Sequence, residues 1–348
     1  MRRSRPKRHH WVRNGLLILL AVVLITGGGF AYHFFKLTRT SFNQMYAPKG
    51  QHSTAIKKGR PFSVLILGVD TGADGRIDKG NSDTLMVATV NPKTEKTVLY
   101  SIPRDTLVEL RGDGKRDMQK LNAAYNLGGV KMARRTVSKL LGIPIDYYLT
   151  MNMGGLEKLV DAVGGITVHS PMDVEFNGIK ISKGTHHLNG KQALSYSRMR
   201  YQDPKGDYGR QMRQQEVIRA VVNKMTAQKK LSHYQALLTA LEPNVRTDVD
   251  FNSALRGLVK YRANLTQITS RHLQGKDAWI NGSSYQIATT AELTKVNRAL
   301  RQELALPAKR LDNEETRLNA LNPTFDGKKS QLYNTFGLDT VYYTNNTY

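Results

Sequence analysis

Cysteine is absent from this 348-residue chain, which excludes disulfides, thiolate catalysis and cysteine-based zinc sites. Histidine occurs nine times, yet no H-E-x-x-H pair is present, so the helix-borne ligands of a zinc hydrolase are missing. No G-x-S-x-G elbow marks a serine hydrolase. Neither G-x-x-x-x-G-K-[ST] nor G-x-G-x-x-G occurs, so the usual glycine cradles for nucleotide phosphates are lacking. Acidic residues are scarce: 28 Asp and Glu stand against 52 Lys and Arg, a net charge of +24. Such an excess selects anionic partners or surfaces. Nucleic acid is one such partner, but no helix-turn-helix or RNA-binding signature accompanies the charge.

Charge of either sign is missing from one stretch, "NGLLILLAVVLITGGGFAYHFF" (Asn14–Phe35). Its 22 residues, at about 1.5 Å each, reach the roughly 30 Å of a bilayer core. Arg2, Arg3, Arg5, Lys7, Arg8 and Arg13 precede it, whereas only Lys36 and Arg39 are basic in the 13 residues that follow. The positive-inside bias therefore predicts a single-pass cell-membrane protein, its N-terminus cytoplasmic and everything after residue 35 outside. A cleaved signal peptide is the rival reading; the long apolar run and the lack of an A-x-A site favour an uncleaved anchor. Residues 1–13 then form a basic cytoplasmic tail, 14–35 the transmembrane anchor, and the polar, basic residues 36–60 an extracellular linker. An outside location also argues against DNA as the partner.

Beyond the linker, "FSVLILGVD" (Phe62–Asp70) is a continuous apolar run, as a central strand covered on both faces requires. "DTLMVATVN" and "KTVLYSIP" predict two more strands joined by the short "NPKTE" as a hairpin. "NAAYNLGGVKMARRTVSKLLG" has helical period, punctuated by Gly128–Gly129 and stopped at Gly142 and Pro144. Strand, helix and strand follow in "IDYYLTMN", "GGLEKLVDAVGG" and "ITVHS", and "YGRQMRQQEVIRAVVNKM" is an amphipathic helix. This alternation predicts an α/β fold, an αβα sandwich with a central mixed sheet preceded by one transmembrane helix. Residues 61–245 are expected to form the principal α/β domain, 246–305 a helical or mixed extension packed on it, and 306–348 a polar, mobile C-terminal tail.

Three motifs carry chemistry. In "SYSRMRYQDPKGDYGRQMRQQE" (Ser195–Glu216), Arg198 and Arg200 would point the same way on an extended segment. Arg210, Arg213 and Gln214 share one helix face behind Asp207, a helix-start residue, and Gly209. Guanidinium forks near a helix N-terminus make a phosphate site; the alternative is a solvated basic face. "SIPRDT" delivers Arg104 beside Asp105 at the carboxyl end of a strand, where ligands of open α/β sheets gather. In "LGVDTGADGRIDKGNSDTLM", Asp70 and Asp83 sit on neighbouring strand ends, able to share a hard cation such as Mg²⁺ or to act only as turn formers.

Taken in order, "LLGVDT", "SDTLM", "SIPRDT", "KLNAAYNLGG", "LLGIPIDYYLTMN", "LVDAVGGITV", "LNGKQALSYSRMR" and "GRQMRQQ" resemble the LytR–CpsA–Psr family from about Phe62 to Lys224. The resemblance implies a Gram-positive transferase that moves a phosphate-linked glycopolymer (teichoic acid, capsule or related polysaccharide) from a polyprenyl-pyrophosphate carrier to peptidoglycan. It implies a Mg²⁺ cofactor and membrane lipid as part of the donor. By the same resemblance Arg104, Lys120, Arg198, Arg200, Arg210, Arg213 and Gln214 match pyrophosphate-site positions. Asp70 and Asp83 match acidic positions near the metal, and Asp83 and Arg104 are the expected catalytic pair. Many members carry Arg-Ser-Asp where this chain has Asn81-Ser82-Asp83, which leaves Arg76 as the candidate substitute. The alternatives are a polyprenyl-pyrophosphate hydrolase using the same residues, and a non-enzymatic membrane-anchored regulator or wall-polymer-binding module.

Overall fold

The computed structural model describes residues 35–49, 53–71, 80–112, 117–227, 237–280, 282–327, 333–335 and 341–342. Apart from Phe35, the expected anchor lies outside these residues, and no helix among them is long and apolar enough to cross a membrane. A helix over residues 35–45 and the short α1 (Ala55–Lys58) lead into β1 (Phe62–Val69), the apolar run read as a central strand. β2 (Ser82–Asn91) and β3 (Lys96–Ser101) form the expected antiparallel hairpin, with Asn91 facing Lys96. β4 (Leu107–Glu109) and β5 (Asp117–Lys120) pair as a small ribbon before α2 (Ala123–Leu141). The Gly pair leaves its mark there: Gly129, at φ 63° and ψ −160°, kinks α2, and Gly142, at φ 64°, ends it.

β6 (Tyr147–Asn152) and α3 (Met153–Ala162) come next, then the small strands β7 (Ile166–Ser170), β8 (Val174–Phe176), β9 (Ile179–Ile181) and β10 (Gly184–Leu188). α4 (Gly190–Arg198) starts from a capping box between Asn189 and Gln192. It is followed by α5 (Asp207–Ala227), β11 (Val245–Thr247), α6 (Phe251–Lys260), β12 (Ile268–His272), the hairpin β13 (Lys276–Ile280) and β14 (Ser283–Ile287), then α7 (Thr290–Glu303) and α8 (Glu314–Leu321).

The main sheet has the order β11-β6-β1-β2-β3-β12. β1 runs parallel to β6 and β3 to β12, while the other neighbours are antiparallel, so the sheet is mixed. α2 and α7 cover one face, where Leu65, Leu67 and Val87 meet Val137, Leu140, Leu293 and Leu300. α5 crosses the other face and is fastened by Gln215, whose Nε2 donates to Ser101 Oγ (2.8 Å) and to the Arg271 carbonyl (2.9 Å).

The structure departs from the sequence reading in two places. The boundary drawn at residue 245 falls inside β11, and β12 is an edge strand of the main sheet, so the segment after 245 completes the domain. Within the expected tail, α8 packs into the body. Leu318 is fully buried against Leu107, Met118 and Tyr285, and Asn313 caps α8 while donating to the Leu140 carbonyl (2.9 Å). Polar composition here reflects capping of neighbouring helices, which a composition argument reads as solvation.

Candidate phosphate-binding site

Four parts of the chain converge where β1 and β3 end and β2 begins. The Asp70 amide donates to the Asn81 carbonyl (3.1 Å), holding the two strand ends together. After β3, Pro103 starts a tight turn whose carbonyl accepts from both the amide and the hydroxyl of Thr106 (3.1 and 2.6 Å). The Arg104 carbonyl in turn accepts from the Asn122 amide at the start of α2 (3.0 Å). With its backbone fixed on both sides, Arg104 places Nη1 2.9 Å from Asp83 Oδ1 and Nε 3.6 Å from Asp105 Oδ2. Lys120, at the end of β5, reaches within 3.9 Å of the same Asp105 and lies 5.2 Å over the Tyr285 ring.

The arginine-rich stretch supplies the opposite wall. Arg198 is the last residue of α4, and the chain turns extended only at Met199, so the two side chains of R-x-R do not share a strand face as the spacing suggested. Its guanidinium stands 3.9 Å from Asp70 Oδ1 and 5.2 Å over the Phe176 ring. Arg210 is buried in the first turns of α5 and pairs with Asp207. Asp207 is steadied by Gln211 (2.7 Å), and Gln211 by His272 Nδ1 (3.1 Å).

Arg213 serves the loop. Its guanidinium donates to the carbonyls of Tyr196 (2.9 Å) and Met199 and pairs with Asp203, all inside the protein. The Asp203–Gly209 turn thereby joins α4 to α5, and a Cβ at Gly209 would lie 1.8 Å from Asp203 Oδ2. Gln214 is half-buried, and its neighbour Gln215 ties the helix to the sheet. Arg76 lies outside the described residues. His272 and Tyr285 had no local signal in the sequence, because only the pairing of β12 with β3 and the β13–β14 hairpin bring them here.

Among the described residues the site sets five cations, Arg104, Lys120, Arg198, Arg200 and Arg210, against four carboxylates, Asp70, Asp83, Asp105 and Asp207. Burial pushes the Lys120 ammonium below its ordinary value, and Arg104 and Arg200 push the same way against Asp105. Burial likewise lowers Arg210, again with Arg104 and Arg200 adding to the effect. For Arg104, burial pulls down but Asp83 and Asp105 more than offset it, so its guanidinium stands above the usual range. Lys120 and Arg210 therefore both feel the fields of Arg104 and Arg200, and an incoming anionic group would relieve that repulsion. Burial keeps His272 below its ordinary value, which favours the neutral ring.

No cluster of three or more His, Asp or Glu suited to a metal occurs among the described residues. Asp70 and Asp83 do offer carboxylate oxygens on adjacent strand ends, and Asn81 Oδ1 between them is buried without a hydrogen-bond partner. This all-oxygen set fits a hard cation that takes one or two carboxylates and completes its shell with substrate phosphate and water.

The chain thus forms an α/β domain with a basic clamp and an acidic pair at its strand ends, a placement suited to an anionic ligand. The chain belongs to the LytR–CpsA–Psr family, whose model matches residues 31–302. It is 40% identical over 301 residues to the polyisoprenyl-teichoic acid–peptidoglycan teichoic acid transferase TagU of Enterococcus faecalis, covering 86% of this chain and 99% of that protein. It is also 40% identical over 340 residues to biofilm regulatory protein A of Streptococcus mutans, covering 91% and 83%. A Streptococcus agalactiae crystal structure superposes with a TM-score of 0.73 at 39% identity, covering 79% of this chain and 99% of that one. The chain is thus an enzyme of this transferase family.

Proposed function

We propose that this chain is a membrane-anchored, Mg²⁺-assisted phosphotransferase that moves a phosphate-linked glycopolymer from a polyprenyl-pyrophosphate carrier to peptidoglycan. The observation that carries the reading is the convergence of Arg104, Lys120, Arg200 and Arg210 at one strand-end site, where Arg104 and Arg200 act on both Lys120 and Arg210 and the carboxylates Asp83, Asp105 and Asp207 hold the cations in place. Its E. faecalis relative is named for transfer from a polyisoprenyl-linked teichoic acid to peptidoglycan.

In this reaction an acceptor hydroxyl attacks the phosphorus next to the glycopolymer. The new P–O bond forms, the bond to polyprenyl phosphate breaks, and the lipid phosphate leaves. The protein's part is charge neutralisation and alignment. Arg104, Arg200 and Arg210 hold the non-bridging oxygens, and Lys120 and Arg198 close the sides. Asp83, 2.9 Å from Arg104, either takes the hydroxyl proton or completes a metal's oxygen shell. Asp70, Asp83 and Asn81 would hold Mg²⁺, which when bound supplies further neutralisation of the pyrophosphate.

The membrane placement draws support from α6. Phe35, where the apolar stretch ends, packs edge-on against Phe251 at 5.3 Å. α6 then exposes Leu255 and Val259, the latter 84% accessible, beside Lys57, Arg256 and Lys260. An apolar strip rimmed by cations suits a bilayer interface.

The test is transfer by the full-length chain in vesicles carrying a polyprenyl-pyrophosphate-linked donor, with peptidoglycan as acceptor. Arg104→Ala is expected to keep fold and membrane insertion while losing roughly 10²–10³-fold in rate, the cost of removing one charge-stabilising donor. Normal transfer by that variant overturns the assignment. Release of free glycan phosphate without a peptidoglycan product replaces it with the hydrolase.

A further inference from the structure

A second basic site lies at the far end of α2. This helix touches the arginine clamp through Asn122 at its start, and its 19 residues put its C-terminus on the order of 25 Å away. There, α2, α7 and the segment 307–312 border an open recess of about 850 Å³. Seven cations line it and one carboxylate, Asp312, which is turned to Arg317 at 3.1 Å.

Four of those cations already have partners. Arg134 pairs with Asp248, and Arg111 with the buried Glu109 at 2.8 Å. Lys139 donates to the Asp312 carbonyl (3.1 Å), and Arg301 to those of Pro307 (2.7 Å) and Gly142 (2.8 Å). Cations near a helix C-terminus ordinarily answer its free carbonyls. Here Asn297, donating to Leu141 (2.7 Å), and Asn313, donating to Leu140 (2.9 Å), do so with Arg301. Arg135, Lys309 and Arg310 are left exposed on two facing walls, with no carboxylate within ion-pair distance among the described residues.

We propose that this cavity binds successive phosphates of a linear phosphodiester polymer. The three unpaired cations, on α2 and the 307–312 strap, carry three charges against the one of a phosphodiester, so successive phosphates of a chain laid along the recess match them. The recess between two helices and a strap suits a thin flexible strand better than a flat bilayer face. The identification of that polymer as the enzyme's own glycopolymer rests on the proposed function; the binding itself does not. The separation from the clamp would let one strand be held at a distance from its reacting end, raising its local concentration there.

The experiment is calorimetric titration of the full-length protein in detergent micelles with a soluble poly(glycerol phosphate) oligomer. Triple reversal, Arg135→Glu with Lys309→Glu and Arg310→Glu, is expected to weaken binding at least tenfold and flatten its salt dependence. A control carrying the same charge change at the exposed Lys158, Lys183 and Lys191 is expected to change binding less than threefold. Equal losses in both triples, or none in the groove variant, overturn the proposal, since the polymer would then be sensing only general charge. Arg104→Ala separates the two readings: it should retain oligomer binding at the groove. A groove variant that binds like wild type while Arg104→Ala still abolishes transfer sinks the groove alone. Specific groove binding in a protein whose transfer ignores Arg104 sinks the clamp alone.

Discussion

Arg213 is the sharpest test of which arginines hold the fold and which are left for a ligand. Its side chain is 3% exposed and that of its partner Asp203 is 6% exposed, and its other donors are occupied by the Tyr196 and Met199 carbonyls. Arg213→Met would leave a buried carboxylate without its counter-charge and two carbonyls without donors. Breaking a buried pair from one side costs about 3–5 kcal/mol. Asp203 keeps the Lys205 amide at 2.8 Å, which places the loss toward the lower end. For a domain of this size that is a fall in Tm on the order of 10 °C, read by circular dichroism at constant protein and detergent concentration. Adding Asp203→Asn should recover part of the loss, because no buried charge is then orphaned. An unchanged Tm combined with lost transfer would show instead that Arg213 acts on the ligand of the proposed clamp, as its spacing from Arg210 suggests.

Two further outcomes follow from other parts of the molecule. Burial, reinforced by Glu109 and Glu314, pushes the Glu315 carboxyl up to about 7 from 4.5. The folded form thus holds a proton that the unfolded form has lost, so this group's stabilisation is full below about pH 4.5 and gone above about pH 7. Glu315→Gln should therefore remove a pH-dependent loss on the order of 3 kcal/mol, melting above wild type at pH 8 but close to it at pH 4.5; parallel melting curves at both pH values would count against it. Because the chain has no cysteine, Val259→Cys carries a single environment-sensitive label: in vesicles its emission should shift blue and be quenched by brominated lipid. An anchored protein whose label stays in water would remove α6 from the membrane surface, whereas failure to insert at all would remove the anchor.

Much of the fold was legible because its signals are local. The unbroken apolar run of β1, the short β2–β3 turn and the glycines at 129 and 142 each act on their own backbone. The site was legible in part for a different reason, since Arg104, Asp83 and Asp70 stand at strand ends that neighbouring strands must bring together. Helical spacing failed to distinguish Arg210 from Arg213: both face inward on α5, and only the path of the 199–206 loop decides that one meets a carboxylate of that loop and the other the clamp. The partners from the last third of the domain, His272 and Tyr285, depend on a parallel pairing and a hairpin separated from β3 by more than half the chain's secondary structure. The 306–327 segment misled because Asn313 and Glu315, polar in composition, act as buried caps and hydrogen-bond acceptors.

On the proposed function, the clamp of Arg104, Arg200 and Arg210 holds a lipid-linked pyrophosphate. Mass spectrometry of lipid co-purified with the full-length protein reads this out. A polyprenyl phosphate or pyrophosphate is expected on the wild-type chain and is expected to be lost in a folded Arg104→Ala, Arg200→Ala double variant. The same lipid retained in equal amount by that variant would contradict it.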